Sequence, residues 1–297
     1  MQIRIIGAPI DLGQDRRGVD IGPRAIRYAG LNDQLLHLGH TVNDVGNLTI
    51  PFPEVEPVGN PRLKYLEPIL QAAEELAQTV TDALEKQEFP LVLGGDHSLA
   101  LGSVGGVARV HKDVGIIWID AHADFNIEDT TPSGNIHGMI LSALAGLGDA
   151  RLTNLGGWGP KIDKTRIVII GARALDIGEQ ALLRTQNIHV FTMSDIDRQG
   201  IAEVMQQGIE IAGRGGAPIH LSLDMDSLDP REAPGVGTPV RGGLSYREAH
   251  FAMEMIAESQ RMISMDAVEV NSILDRENTT AQLAVELICS ALGKKIL

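Results

Sequence analysis

The chain has 297 residues, 43% of them hydrophobic and 22% charged, a composition that allows a large buried core and argues against a disordered or collagen-like chain. Its formal net charge of −14 opposes attraction to phosphate backbones, so we expect no nucleic-acid partner. The acidic excess would attract metal ions or a cationic substrate, although such a surface commonly serves solubility alone.

Short apolar runs predict a protein that does not enter a membrane. The run at residues 2–8 is too short for the apolar part of a signal peptide and fits a first strand. No run approaches the roughly 18 apolar residues that cross a bilayer. Cys289 is the only cysteine, so no internal disulfide can form and we expect a cytoplasmic protein. The apolar neighbours of this cysteine favour a core residue over a nucleophile.

β-Branched apolar runs alternate with longer amphipathic stretches along the whole chain, which indicates a parallel sheet with helices on both faces. The predicted strands are 2–8, 41–45, 89–93, 114–120, 166–171, 188–192, 217–224 and 264–270. The predicted helices are 23–38, 62–87, 98–111, 136–146, 177–186, 194–213, 245–259 and 279–292. The Pro-rich segment 51–57 is typical of a surface loop. We expect one three-layer α/β domain, residues 1–297, with a central parallel sheet of about eight strands.

The segment DAHAD (residues 120–124) ends one of these strands and carries the strongest chemical signal. Alternate side chains of an extended chain share a face, so Asp120, His122 and Asp124 can converge. Open α/β sheets bind ligands at the carboxyl ends of their strands. Taken alone, the segment could also be a turn with solvated or paired side chains.

Two further strand ends deliver the same kinds of group. Asp224 and Asp226 end the strand 217–224, and His97 follows the strand 89–93. Carboxylates gathered at a desolvated site need a cation between them. Two imidazoles and four carboxylates exceed the ligands of one catalytic zinc and favour two ions that share bridging carboxylates. The predicted ligands are His97, Asp120, His122, Asp124, Asp224 and Asp226.

This ligand set predicts the metal and the type of reaction. Oxygen-rich ligation favours a hard ion such as manganese, and two divalent ions per subunit would balance four carboxylates. A water between ions about 3.5 to 4 Å apart can be hydroxide near neutral pH. The sequence therefore predicts a two-metal hydrolase.

Four ordered motifs make the sequence similar to the arginases, within the ureohydrolase family, over nearly the whole chain. They are GGDHS (94–98), DAHAD (120–124), SGNIHG (133–138) and SLDMDSLDP (222–230). The resemblance implies hydrolysis of L-arginine to L-ornithine and urea by a metal-bridging hydroxide at a binuclear manganese site, in a homotrimer or homohexamer. It implies that Asp120 and Asp224 bridge the two Mn²⁺ ions, with His97 and Asp124 on one ion and His122 and Asp226 on the other.

The resemblance also implies how arginine is bound. In this pattern the substrate carboxylate meets the loop that follows Asp124, through Asn126, Thr131, Ser133 and Asn135. Asp176 would meet the α-amino group with the support of Glu179, although acids at this place could equally start a helix. Ser245, where the family commonly has Thr, is a further predicted substrate contact.

Three catalytic roles follow from the same resemblance. Glu269 would pair with the substrate guanidinium. Asp124 would pass on the proton of the attacking hydroxide. His137 would shuttle a proton between solvent and the site, since its unperturbed pKa lies near neutrality, or it would only anchor its loop. We expect His220 to be a strand residue and Asp96 a capping or supporting residue, neither of them a metal ligand.

Two alternatives stay open on sequence alone. An agmatinase, or another ureohydrolase acting on a guanidino substrate, would have similar metal motifs. A non-catalytic arginine-binding protein would need the substrate contacts and no proton shuttle.

Overall fold

One parallel sheet of eight strands lies at the centre of the molecule in the computed structural model, which describes residues 1–295. The strands of the chain are β1 (Gln2–Ala8), β2 (Thr41–Asn47), β3 (Gly59–Asn60), β4 (Leu63–Lys64), β5 (Phe89–Gly94), β6 (Gly115–Ile119), β7 (Ile167–Ala172), β8 (His189–Thr192), β9 (Ile219–Asp224) and β10 (Met262–Val268). The sheet has the order β2-β1-β5-β10-β9-β6-β7-β8, and β3 pairs with β4 in a separate antiparallel hairpin.

Helices cover both faces of the sheet. They are α1 (Gly22–Tyr28), α2 (Leu31–His37), α3 (Leu66–Glu85), α4 (Ala100–Val110), α5 (Ile140–Leu144), α6 (Ala150–Thr153), α7 (Ile177–Gln186), α8 (Met193–Gln199), α9 (Ile201–Ala212), α10 (Tyr246–Ser259) and α11 (Thr279–Ala291). Within residues 1–295, no helix is both long enough and apolar enough to span a membrane.

Two hydrophobic cores flank the sheet because alternate side chains of each strand face opposite ways. In β6, Ile117 and Ile119 belong to the core that includes α9, α10 and α11, whereas Ile116 and Trp118 belong to the core that includes α3 and α4. Strands buried on both faces appear in the sequence as continuous apolar runs. The predicted three-layer α/β fold with a parallel sheet is confirmed, and Cys289 is buried in a core as expected.

Two of the predicted helices are wrong as single elements. The stretch 23–38 forms α1 and α2, and the stretch 194–213 forms α8 and α9. Gly30 (φ 90°) and Gly200 (φ 82°) separate the two pairs with left-handed backbone, which ends a right-handed helix. The stretch 136–146 begins as a 3₁₀ turn, Ile136–Met139, before α5. The hairpin of β3 and β4 was not predicted, and segment 51–57 is a loop as expected.

The sheet order brings four chemically important strand ends together. β5, β10, β9 and β6 are consecutive neighbours at the centre of the sheet. Their carboxyl ends lie at one edge because all four run parallel. His97 follows β5, Glu269 follows β10, Asp224 ends β9 and Asp120 follows β6.

Candidate active site

The imidazole of His97 lies within a group of three carboxylates. Its Nδ1 atom is 3.2 Å from Asp120 Oδ2, 3.1 Å from Asp124 Oδ2 and 3.2 Å from Asp224 Oδ2. This Nδ1 is fully buried and has no partner in hydrogen-bonding geometry. An imidazole N–H could serve only one of the three oxygens, whereas a cation between them would meet them all. The orphaned nitrogen and the converging oxygens therefore fit a metal site.

A second group of the same chemistry surrounds His122. Its Nδ1 atom is 3.3 Å from Asp120 Oδ1 and 3.1 Å from Asp226 Oδ2. Asp120 thus turns one oxygen toward each histidine, which is the arrangement of a bridging ligand. Asp224 turns Oδ2 toward His97, while its Oδ1 accepts a hydrogen bond from the Asp226 N–H (2.7 Å). Two groups of ligand atoms that share Asp120 suit a binuclear metal site.

The electrostatics of the two groups also favour bound cations. Burial would lower the pKa of both imidazoles, but the surrounding carboxylates raise the pKa of His97 and of His122 well above 6.5. Burial would raise the pKa of Asp120, yet its contacts with His122 and His97 lower it. Burial and the charges of Asp226 and Asp120 raise the pKa of Asp224. Divalent cations would compensate the same carboxylates and would compete with protons for the imidazole nitrogens.

Neighbouring side chains hold the ligands in place. The Trp118 ring stacks on His97 with 3.8 Å between centroids, and its Nε1 donates to Asp120 Oδ2 (3.0 Å). His97 Nε2 lies 2.8 Å from Ser222 Oγ, so Nδ1 is the ring nitrogen that faces the carboxylates of the candidate metal site. Thr238 Oγ1 donates to the predicted ligand Asp226 (2.7 Å).

None of these three supporting residues was predicted. Trp118 and Ser222 precede Asp120 and Asp224 by two positions, so the strand alternation that identified the ligands could have found them. Thr238 lies in a loop between β9 and α10 that has no periodic pattern. Only the folded structure brings this threonine to the site.

Glu269 is buried and held at both oxygens. Its Oε1 accepts a hydrogen bond from the His97 N–H (3.0 Å), and its Oε2 accepts one from Gln14 Nε2 (2.8 Å). His137 Nδ1 lies 3.2 Å from Oε1. Burial would lower the pKa of His137, but the contact with Glu269 raises it to about 9. Glu269 (φ 66°) and Asp124 (φ 48°) both have left-handed backbone, a strained conformation that clusters at functional sites.

A cavity of about 400 Å³ opens beside this cluster. One side of it carries amides and hydroxyls, and another side carries carboxylates. The predicted site residues that line it are His122, Asp124, Asn126, Thr131, Ser133, Asn135, His137, Asp176 and Glu179. The structure therefore gathers the two predicted halves of a substrate site around one space.

Asp176 and Glu179 start a helix, as one interpretation of this segment expected, and they also line the cavity. Asp176 is the N-cap of α7, and Glu179 accepts a hydrogen bond from its N–H (3.2 Å). Asp176 also accepts one from Asn126 Nδ2 (3.0 Å), and Glu179 accepts one from the Phe125 N–H (2.9 Å). Burial raises the pKa of Glu179 to about 7.

Two predicted substrate contacts are absent from the lining of this cavity: Glu269, which lies behind His137, and Ser245. Ser245 is exposed at the N-cap of α10, where its hydroxyl donates to Glu248 (2.7 Å). The same hydroxyl accepts from the Glu248 N–H (3.3 Å), so helix capping accounts for this serine.

The two residues expected not to be ligands have structural contacts. His220 lies in β9, where Nδ1 meets Ser264 (2.8 Å) and Nε2 meets Asp266 (3.1 Å). Asp96 accepts hydrogen bonds from the N–H groups of Ser98 (2.9 Å) and Gly13 (2.7 Å). Asp96 therefore caps the turn that carries His97.

Comparison with known proteins gives consistent matches over the full length. The Arginase family model matches residues 1–293. An arginase of Brevibacillus brevis is 51% identical over 99% of this chain and 98% of its own. The solved arginase of Bacillus caldovelox is 48% identical with a TM-score of 0.97 and covers 100% of this chain and 99% of its own. A hypothetical agmatinase of Burkholderia thailandensis is only 25% identical, with a TM-score of 0.75 over 98% of this chain and 84% of its own.

Proposed function

The chain belongs to the arginase family, and on that premise we propose that it hydrolyses L-arginine to L-ornithine and urea at a site holding two Mn²⁺ ions. The observation that carries the proposal is the position of two histidine–carboxylate groups, sharing Asp120, beside a cavity with two chemically different sides. Arginine offers a guanidinium and an ammonium to carboxylates and a carboxylate to hydrogen-bond donors.

The donor set supports two divalent cations. His97 and Asp124 would hold one ion, His122 and Asp226 the other, and Asp120 and Asp224 would bridge them. Manganese is proposed because carboxylate oxygens dominate the set and thiolates are absent from it. Two such ions lower the pKa of a water and make it a nucleophile near neutral pH.

The guanidinium would pair with Glu269. This carboxylate is fixed before substrate arrives, because the His97 N–H and the Gln14 amide hold its two oxygens. A bidentate carboxylate pair orients the planar guanidinium and places its carbon toward the metal groups. Preorganisation of this kind lowers the cost of orienting the substrate.

Side chains that line the cavity would bind the α-amino and α-carboxylate groups of the substrate. Asp176, with the support of Glu179, would bind the α-amino group. The donors for the α-carboxylate would be Asn126, Thr131, Ser133 and Asn135. Agmatine has no carboxylate and would leave these donors unpaired, which costs affinity.

Asp124 and His137 would move the proton that the reaction needs. After water adds to the guanidinium carbon, cleavage of the bond to Nε requires protonation of that nitrogen, which becomes the δ-amino group of ornithine. A pKa of about 9 keeps His137 protonated at neutral pH, so it can donate to the leaving amine or recharge the site from solvent. Pairing of Glu269 with substrate would weaken its hold on His137 and ease that donation. Both residues line the cavity.

Steady-state release of urea from L-arginine and from agmatine, with Mn²⁺ supplied, tests the proposal. We expect kcat/KM for arginine to exceed that for agmatine by about a thousandfold or more, because a site with buried polar donors rejects a substrate that leaves them unpaired. Faster turnover of agmatine would assign the chain to agmatinases. Arginine binding without urea release would favour a non-catalytic binding protein.

We further propose a cytoplasmic homotrimer or homohexamer in which residues 1–297 form one domain, without nucleic-acid or membrane partners. The single buried cysteine and the acidic charge support the compartment and the lack of nucleic acid. Analytical ultracentrifugation of the metal-loaded protein would test the assembly. A monomer at micromolar concentration would contradict it.

A further inference from the structure

The β3–β4 hairpin packs on the loop that carries the proposed carboxylate donors. The Lys64 N–H donates to the Gly134 carbonyl (3.0 Å), and the Arg62 guanidinium donates to the Glu128 carbonyl (2.8 Å). Gly134 has φ 76°, and a Cβ there would lie 1.9 Å from the Pro61 carbonyl oxygen. The hairpin therefore packs so close to this loop that a side chain at position 134 would clash with it.

The ammonium of Lys64 joins two loops at the edge of the cavity. Its Nζ lies 2.8 Å and 3.1 Å from the two carboxylate oxygens of Asp15 and 3.0 Å from Asn135 Oδ1. Asp15 belongs to the loop after β1, which also supplies Gln14 to Glu269. The Lys64 side chain is 22% exposed, whereas Asn135 is buried and lines the cavity.

This contact determines which way the Asn135 amide points. An ammonium has three donors and no acceptor, so only the amide oxygen can face it. The amide NH₂ must then point away from Lys64. Burial would raise the pKa of the Asp15 carboxylate, but its contacts with Lys64 and Asn135 lower it. An NH₂ group turned away from Lys64 is available to a ligand in the cavity, which Asn135 lines.

The charge of the cavity makes that orientation important. Its lining includes Asp124, Asp176 and Glu179, and no lysine or arginine of residues 1–295 is part of it. The two histidines of the lining contact carboxylates of their own, His122 at Asp120 and Asp226 and His137 at Glu269. A substrate carboxylate would therefore be bound by neutral donors at the Asn135 end, against acidic neighbours. An Asn135 amide turned the other way would present an oxygen and add repulsion.

We propose that Lys64 is a positioning residue for recognition of the substrate carboxylate. It locks the Asn135 amide with its N–H toward the ligand, and its ammonium offsets the acidic lining. The inference rests on the proposed function, because it assumes a substrate with a carboxylate at this end. Lys64 acts through Asn135 and does not itself line the cavity.

Four variants test this role. Lys64→Met removes the charge and the donors, Lys64→Gln restores a neutral donor, and Lys64→Arg restores a charged group that can only donate. Lys164→Met is the matched control, since Lys164 is a surface lysine before β7 whose one side-chain hydrogen bond within residues 1–295 is to Gln186 (3.0 Å). The readouts are KM and kcat for arginine and the inhibition constants of L-ornithine and putrescine, two diamines that differ by the carboxylate.

We expect Lys64→Met to raise the KM of arginine and the inhibition constant of ornithine about tenfold, the scale of one hydrogen bond to a charged group. The kcat should change less than about twofold, and the inhibition constant of putrescine should stay unchanged. Lys64→Arg should restore ornithine binding, Lys64→Gln should restore it in part, and the control should match the wild type.

Equal weakening of ornithine and putrescine by Lys64→Met would overturn the inference, as would an unchanged KM. If the thermal midpoint shows that Lys64→Met is unfolded, Lys64→Gln must still raise the inhibition constant of ornithine and leave that of putrescine unchanged. If Lys64→Gln changes the two inhibition constants by the same factor, the role is overturned. Absence of urea release by the wild type is a different result, which rejects the proposed function. Calorimetric titration of both diamines would then still test Lys64.

Discussion

Binding of Mn²⁺ should displace protons from the two histidines of the metal groups, which makes affinity depend steeply on pH. Neighbouring carboxylates raise the pKa of His97 and of His122 well above 6.5, so protons compete with a metal ion for both imidazoles. A ligating imidazole must be neutral, and each ion therefore releases one proton. Each unit of falling pH should weaken each ion about tenfold, or about 1.4 kcal/mol.

The same protons set the pH dependence of stability. The pKa of each histidine is higher in the folded protein than in the unfolded chain. Their contribution to the stability of the metal-free protein is therefore fully present below about pH 6.5 and is lost as pH rises through the folded pKa. Metal binding strengthens over that range. The rise in Tm that Mn²⁺ produces should consequently grow with pH.

Calorimetric titration of Mn²⁺ in two buffers of different ionisation enthalpy measures the protons released. At pH 7 we expect about two protons per chain from the imidazoles, plus any proton lost by a metal-bound water, and about one proton fewer for His122→Asn, which lacks the second imidazole. The control His37→Asn alters an exposed histidine of α2 that contacts the Asp33 carbonyl and should leave the number unchanged. Metal binding without proton release at pH 7 would refute this electrostatic account.

Three substitutions test other parts of the site. Asp176→Ala should raise the KM of arginine about tenfold or more, because the α-ammonium of the substrate loses its carboxylate partner. The metal content, measured by atomic absorption, should stay unchanged. Loss of metal would reject the assigned role. Thr238→Val removes the hydroxyl that donates to Asp226. Binding of one Mn²⁺ should weaken about 10- to 100-fold, as measured by calorimetry. If both Mn²⁺ affinities stay unchanged, the supporting role of Thr238 is contradicted. Gly134→Ala should lower the unfolding free energy by about 1 to 3 kcal/mol in urea titrations, because left-handed backbone and the Pro61 carbonyl both oppose a Cβ. An unchanged midpoint would contradict that prediction.

The clustering of the predicted metal ligands could be foreseen because their signal is local. Asp120, His122 and Asp124 alternate at a strand end, and parallel strands deliver their carboxyl ends to one edge. Sequence separation does not matter to that argument. The same argument predicts that His97 and Asp224 lie close together although more than a hundred positions separate them, and the structure has them in contact.

Features set by single contacts could not be predicted. Amphipathic periodicity continues through Gly30 and Gly200, so it did not show that left-handed backbone divides two helices. The hairpin has strands of two residues, too short for any period, and its lysine meets Asn135 from 71 positions away. The substrate contact expected at Ser245 came from resemblance alone, and local capping by Glu248 accounts for that residue.

The central claim is that the chain holds two metal ions that share Asp120. Anomalous scattering from crystals grown with Mn²⁺, recorded on both sides of the manganese edge, tests it most directly. We predict two peaks about 3.5 to 4 Å apart, one at His97 Nδ1 and one at His122 Nδ1, with Asp120 in contact with both. A single peak, or peaks that do not share Asp120, would contradict the account.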